Sequence, residues 1–234
     1  MILMKPYKYE VLIVGGFGHI GLPLGILFAN KNINTCLYDI NKKNYNIIKK
    51  GKMPFIEYGA EILLKKNLKN KKLHLSLNIK DIAKAKNIII TIGTPVDEYL
   101  NPKTKYFVEI FNKMIPYMST SQNIIIRSSV FPDTCKKIYD FLNNKNFNVS
   151  YCPERIVQGY AIKELERLPQ IVSGFSKKAI KQSSELFKKL SPKIIKTTVK
   201  EAELIKLFTN SLRYIQFATA NQFYMICENF GVDY

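Results

Sequence analysis

Glycines at positions 16, 18 and 21 of VLIVGGFGHIGLPLG stand in the order G-x-G-x-x-G, directly after an apolar strand-like run and at the start of an apolar helical one. That spacing suits main-chain contact with a pyrophosphate. Gly16 permits a tight turn, Gly18 lets backbone approach the phosphates, and Gly21 allows close helix–strand packing, while the helix N-terminus favours negative charge. His19 and Ile20 fall inside the same loop. About 20 residues on, Asp39 ends a second apolar run, CLYDI, where a carboxylate hydrogen-bonds ribose hydroxyls and repels a 2′-phosphate. These residues predict a dinucleotide site that takes NAD in preference to NADP.

Three further segments carry polar residues at the carboxyl ends of predicted strands, where open α/β sheets bind ligands. In TIGTPVDE, Thr94 precedes Pro95, and in IIIRSSVFPDT, Ser128 and Ser129 precede Pro132, so Thr94 and Ser129 are candidates to line the crevice. Ordinary strand-to-helix turns, with serine as an N-cap, account for them equally. In YCPERIVQGYAIKEL, Glu154 has the chemistry of a general base and Arg155 that of a phosphate or sugar-hydroxyl ligand, although a surface ion pair gives the same pattern. Lys206, Asn210 and Arg213 project from one face of a helix. A solvated stripe is the plain explanation; the apolar neighbours Leu204, Ile205, Leu207 and Phe208 instead turn that face towards a crevice. His74 reads as a surface residue. Cys36, Cys135, Cys152 and Cys227 form no C-x-x-C pair and no metal-ligand spacing, and read as small buried hydrophobes of a reducing compartment.

The elements that must position these groups alternate. Glu10–Val14, Asn34–Tyr38, Leu73–Leu77, Asn87–Ile92, Asn123–Arg127, Asn148–Tyr151, Ile171–Ser173 and Ile194–Thr197 read as strands with helices between them. Fully apolar strands such as IIITI and NIIIR predict a parallel sheet covered on both faces, a doubly wound α/β fold of the Rossmann kind. The Lys/Asn-rich stretches Lys65–Lys72 and Asn143–Asn148 read as solvated loops. From Lys200 a helix of about 30 residues, roughly 45 Å long, runs to Gly231 as its C-cap. That exceeds what one sheet needs, so its far half is expected to pack on something beyond the first domain. The expected division is residues 1–198 as the dinucleotide-binding domain and 199–234 as the start of a central helical one.

The chain has 234 residues, 47% hydrophobic and 23% charged, with 36 Lys+Arg against 18 Asp+Glu and a formal charge of +18. This composition excludes disorder and fibrous repeats. The basic balance invites a nucleic-acid role, but arginines occur only at 127, 155, 167 and 213 and no aromatic-interleaved basic stripe accompanies them. An anionic small molecule gains from the same field. No run reaches the roughly 18 apolar residues of a membrane span, and the N-terminus has no cleavage-site pattern, so a cytoplasmic location is expected.

Taken in order, GGFGHIGLPLG, the Asp39 strand end, TP at Thr94, RSSVFPDT, YCPERIVQG with LPQIVSG, and AELIKLFTNSLRYIQFATANQ resemble the UDP-glucose/GDP-mannose dehydrogenase family along essentially the whole chain. The P-E-R triplet Pro153–Arg155 and the K-x-x-x-N-x-x-R pattern look like its UDP-N-acetylmannosamine dehydrogenase branch. The resemblance implies a four-electron, NAD-dependent oxidation of a UDP-sugar C6 hydroxyl to a carboxylate for surface polysaccharide, through a cysteine-bound thiohemiacetal and thioester. It further implies that Lys206 and Asn210 stabilise oxyanions at C6, that Glu154 is the base for thioester hydrolysis, and that Ser129 places water or nicotinamide. Arg155, Ile156 and Arg213 would contact substrate, with Gly16, Gly18, His19, Ile20, Gly21, Asp39 and Thr94 at NAD.

Departures accompany the matches. Ser129 stands where the family has Thr, Asp133 replaces the Gly of its P-G-T turn, and Gln158 and Gln222 replace glutamates. The family's G-G-x-C segment and its UDP-binding domain have no counterpart in these residues. The expectation is therefore a cofactor-binding half with its connecting helix, inactive in acid formation alone, and a homodimer through that helix in the complete enzyme. Two alternatives remain open: a hydroxyacid or 6-phosphogluconate-type dehydrogenase, which also carries K-x-x-x-N on a helix, and a non-catalytic NAD-binding split subunit.

Overall fold

The computed structural model describes residues 7–94, 98, 104–143 and 146–234. Along the chain run β1 (Tyr9–Val14), α1 (Gly21–Asn30), β2 (Thr35–Tyr38), α2 (Lys42–Lys49), α3 (Ala60–Lys69), β3 (Leu73–Ser76), β4 (Ala85–Ile90), α4 (Thr104–Met114), β5 (Asn123–Ile126), α5 (Thr134–Asn143), β6 (Asn148–Tyr151), α6 (Ala161–Arg167), β7 (Gln170–Gly174), α7 (Lys177–Phe187), β8 (Ile194–Lys196) and α8 (Val199–Phe230). All eight expected strands form. They make one sheet in the order β3-β2-β1-β4-β5-β6-β7-β8.

Alternation along the strands divides the core. Val11 and Ile13 face one layer with Leu22, Leu27, Phe28, Leu64 and Phe187, whereas Leu12 and Val14 face the other with Ile88, Ile90, Phe111, Ile126 and Ile138. Both faces of β4 and β5 are covered, which is why their isoleucines run without polar interruption. Each such side chain contributes about 1.5–3 kcal/mol over an exposed one. Helix α1 is buried from Gly21 to Ala29, wedged between the sheet and α3 and α6.

Pairing is parallel from β3 through β6, as expected, but β7 pairs antiparallel to β6 with Tyr151 opposite Ser173, and β8 then runs parallel to β7. The reason is the connection. Helix α6 has only seven residues, about 10 Å, so the chain stays at the carboxyl edge after β6 and must re-enter the sheet from there. The expected loop at Lys65–Lys72 is also corrected: Lys65–Lys69 is the last part of α3, held because the Asn67 side chain is buried and donates to the Ile26 carbonyl at 3.1 Å. His74 is half-buried on β3 against the Tyr9 ring, not a surface residue.

Helix α8 starts at a capping box between Thr198 and Glu201 and stops at Gly231, whose φ is 66°. Only Ala202, Glu203 and Lys206 of its residues are buried. The Glu203 carboxylate accepts the backbone N–H groups of Asp133 and Cys135, at 2.9 Å each, and so ties α8 to the start of α5. Asp133 sits at φ 64°, in the left-handed region, which costs a side chain about 1 kcal/mol. Asp133→Gly keeps the N–H bond and removes that strain. We expect it to raise the melting temperature by roughly 1–4 °C, for a gain of about 0.5–1 kcal/mol; a lower melting temperature would contradict the strain.

Candidate functional site

The glycine loop leaves β1 between β2 and β4, where strand order reverses direction. Gly15, not Gly16, takes the left-handed turn, at φ 80°, and the N–H groups of Gly15 and Gly16 both donate to the Tyr38 carbonyl at 3.0 Å. Gly16 is required for a different reason: a Cβ there would lie 2.8 Å from the Leu37 Cα. A Cβ on Gly21 would lie 2.4 Å from the Gly15 oxygen, so α1 could not approach the loop. Thr91, just past β4, closes the turn by donating its hydroxyl to the Val14 carbonyl at 2.9 Å. Gly18 differs from its companions. A Cβ on it would meet only the Gly15 oxygen, at an ordinary 3.5 Å. Among the described residues nothing demands glycine at 18, and close approach of a ligand is the physical reason that the motif itself offers.

Helix α1 has no side-chain cap and no acidic residue in its first turn. Among the described residues no acceptor meets the N–H groups of His19, Ile20 and Gly21. A helix start with free amides and a helix dipole behind it fits a pyrophosphate. Asp39 follows β2 directly; its Oδ2 accepts the Phe17 N–H and its Oδ1 the Asn41 N–H, both at 3.1 Å, which fixes the carboxylate beside the loop. A cleft of about 440 Å³ opens there, lined on its apolar side by Ile40, Ile79, Ile110 and Met114 and on its polar side by Gly15, Gly18 and Asp39. Ile40 is 80% exposed, an apolar platform of the kind a purine ring covers. The residues present therefore fit an adenine dinucleotide. Ile40 went unnoticed in the sequence although it immediately follows Asp39.

The other expected residues collect at the same carboxyl edge. Thr94 is half-buried beyond β4; its neighbour Pro95 lies outside the described residues. Ser128 is structural, donating to the Ile92 carbonyl at 2.7 Å, while Ser129 beside it is half-buried with no described partner for its hydroxyl. Lys206 is buried, and its ammonium donates to the Asn210 Oδ1 at 3.2 Å. Burial pushes the Lys206 ammonium below the usual lysine value; Glu154 opposes this, and Arg213, Arg127 and Arg155 add to it. Arg213 donates to the Arg155 carbonyl at 3.4 Å, and Arg155 itself to the Pro169 carbonyl at 2.6 Å. Ile156 is half-buried against the core layer under α1. So the helix stripe is not solvated at its start: Lys206, Asn210, Arg213, Glu154 and Arg155 form one group.

Glu154 is only 3% exposed and does not stand free. Its Oε2 accepts from Nε and Nη2 of Arg127, and its Oε1 accepts the backbone N–H groups of Arg155, at 2.8 Å, and Ile156, at 3.2 Å. Arg127 is fully buried, bonds the Cys152 carbonyl at 3.0 Å and the Gln170 Oε1 at 2.9 Å, and lies 4.7 Å over the Phe187 ring. Sequence reasoning passed over it. The available signal was a lone arginine between an isoleucine run and two serines, a position where charge has no place unless it is paired.

None of the four cysteines serves this group. Burial pushes the thiols of Cys36 and Cys152 up to about 12, and burial with Glu203 beside it raises Cys135 well above the ordinary value, so all three are protonated at neutral pH. Cys227 is on α8 about 25 Å beyond Asn210.

A model of the UDP-glucose/GDP-mannose dehydrogenase family, NAD binding domain, matches residues 10–191. The UDP-N-acetyl-D-mannosamine dehydrogenase of Methanococcus vannielii is 35% identical over 232 residues, covering 97% of this chain and 53% of that protein. The solved UDP-D-ManNAc dehydrogenase of Pyrococcus horikoshii superimposes with a TM-score of 0.85 at 29% identity, over 95% of this chain and 55% of that one. A GDP-mannose dehydrogenase from Pseudomonas aeruginosa, 23% identical with a TM-score of 0.84 over 96% of this chain and 54% of that one, shares the fold. The chain spans about half the length of the curated relatives it matches.

Proposed function

This chain belongs to the UDP-glucose/GDP-mannose dehydrogenase family, and from that premise we propose that it is the NAD-binding half of an enzyme that oxidises the C6 hydroxyl of a UDP-N-acetylhexosamine, UDP-N-acetylmannosamine first among them, to the uronate for surface polysaccharide. NAD is its cofactor. One observation carries the proposal: a dinucleotide cradle with unclaimed amides and the Lys206–Asn210 pair stand at one edge of one sheet. NAD, when bound, supplies a hydride acceptor. The amides of His19, Ile20 and Gly21 would hold its pyrophosphate, Asp39 its ribose hydroxyls and Ile40 its adenine face, with Thr94 and Ser129 towards the nicotinamide.

The ammonium of Lys206 and the amide of Asn210 offer N–H donors to an oxygen that gains charge at C6, and burial makes such donors effective. Arg155, Ile156 and Arg213 would meet the substrate. Glu154 works in this reading as the counter-charge that shapes the Arg155–Ile156 turn and faces Lys206. Service as a hydrolytic base would require either Arg127 to release Oε2 or the Arg155 and Ile156 amides to release Oε1. With every thiol either buried and protonated or far along α8, we expect the 234-residue chain, given NAD and UDP-N-acetylmannosamine, to yield no uronate by chromatography. Uronate from this chain alone would overturn the half-enzyme reading.

The division at 198/199 and assembly as a homodimer through α8 belong to the same proposal. The far half of that helix supports them, since it carries Ile215, Phe217, Phe223, Met225, Ile226 and Phe230, each at least half exposed. Among the described residues no helix is long and apolar enough to cross a membrane.

A further inference from the structure

The segment between α2 and α3 touches both halves of the site. Phe55 stacks on the His19 ring, with centroids 3.9 Å apart and planes 29° from parallel, and it packs on the core layer under α1. Two residues on, Glu57 is 6% exposed, and its carboxylate accepts the N–H of Gly159 at 3.1 Å and the N–H of Ile162 at 3.4 Å. Tyr58 completes the contact by donating its N–H to the Gly159 carbonyl at 3.0 Å, with its ring 5.3 Å from that of Tyr160. Gly159 lies only three residues after Ile156 and takes a φ of 91° that fixes the path of the loop. Across that loop Glu164 accepts the Val157 N–H at 2.6 Å.

A carboxylate buried on backbone amides, with no cation in hydrogen-bond contact among the described residues, is a costly way to pin a loop. Apolar packing would hold the same surfaces together without that cost. What the carboxylate adds is direction, because it fixes two N–H vectors at once. At its other end the segment is held by the ring of His19, whose own backbone N–H is one of the unclaimed amides of the glycine loop.

We propose that Phe55 and Glu57 form a strut through which dinucleotide bound at the glycine loop orders the substrate-side loop 155–162, so that Glu57 is a positioning residue for Arg155 and Ile156. This rests on the reading of the glycine loop as an NAD site. Bound pyrophosphate fixes the main chain of His19; the His19 ring then fixes Phe55, and Phe55 restrains Glu57 and with it Gly159 and Ile162. Such transmission is a coupling energy between two places, and it is measurable as one.

The test is amide hydrogen exchange of the 234-residue chain with and without NAD, alongside calorimetric titration of NAD. In the wild type, NAD should slow exchange in 155–162 by about threefold or more. Phe55→Ala, or Phe55→Leu should the alanine variant not fold, should bind NAD within about threefold of wild type yet lose that slowing. Glu57→Gln should raise exchange in the loop and remove its dependence on NAD; a merely structural Glu57 would raise exchange and leave the NAD-dependent ratio intact. The strut is overturned by a wild-type loop indifferent to bound NAD, or by Phe55 variants that keep the wild-type ratio. Absence of any NAD binding in the calorimeter would remove the cofactor reading and the coupling together, and is told apart from the first case by the titration itself.

Discussion

Arg127→Met should destabilise the protein by about 3–5 kcal/mol, the cost of leaving a buried carboxylate without its partner. Glu154 would keep two backbone N–H bonds but lose both guanidinium bonds, and the Cys152 carbonyl and the Gln170 Oε1 would each lose a donor. Domains hold together by about 5–15 kcal/mol in all, so this is a large share. For a chain of this length the melting temperature should fall by roughly 6–20 °C. The double variant with Glu154→Gln removes the stranded charge and should recover part of the loss, leaving it at about 1–3 kcal/mol. Thermal denaturation of the two single variants and the double closes the cycle. Equal losses for Arg127→Met with and without Glu154→Gln would mean that the pair is not coupled as drawn.

The second large effect separates binding from folding within one loop. Gly18→Ala places a methyl 3.5 Å from the Gly15 oxygen and meets nothing else among the described residues, so stability should change by less than about 1 kcal/mol. In the proposed pose the same methyl would point into the space the phosphates need, and NAD affinity should fall at least about tenfold, or ~1.4 kcal/mol. Gly21→Ala drives its methyl to 2.4 Å from the same oxygen and must displace backbone, costing about 1–3 kcal/mol of stability as well as affinity. Paired melting curves and NAD titrations distinguish the two. Gly18→Ala with wild-type NAD affinity would remove the ligand-based reason for that glycine.

The glycine loop, Asp39 and the strand–helix alternation were legible because each is a local pattern: a run of β-branched residues, a turn, a helix start. Roles inside the loop were less so. The tight turn belongs to Gly15, and Gly16 is glycine because Leu37 passes behind it, a contact with β2 that no spacing within the motif reveals. The same limit hid Arg127, whose partner is 27 residues away, and Glu57, which reaches Gly159 across 102. Long-range pairs of this kind form only when the sheet brings strand ends together. It also explains the antiparallel β7 and the helical Lys65–Lys69: a lysine-rich stretch reads as solvated, but one buried asparagine holds it in α3. The family resemblance placed Lys206, Asn210, Glu154 and Arg213 in one site before any geometry did, whereas their side-chain pattern alone fitted a solvated helix face and a surface ion pair.

Calorimetric titration of the wild-type 234-residue chain with NAD, and with NADP in parallel, tests the central claim most directly. The expected result is saturable binding of one NAD per chain, with NADP at least about tenfold weaker because the Asp39 carboxylate would face the ribose in the proposed pose. No heat of binding with NAD up to about 5 mM, a limit near −3 kcal/mol of binding free energy, would contradict the account of the cleft. NADP binding as tightly as NAD would contradict the part assigned to Asp39.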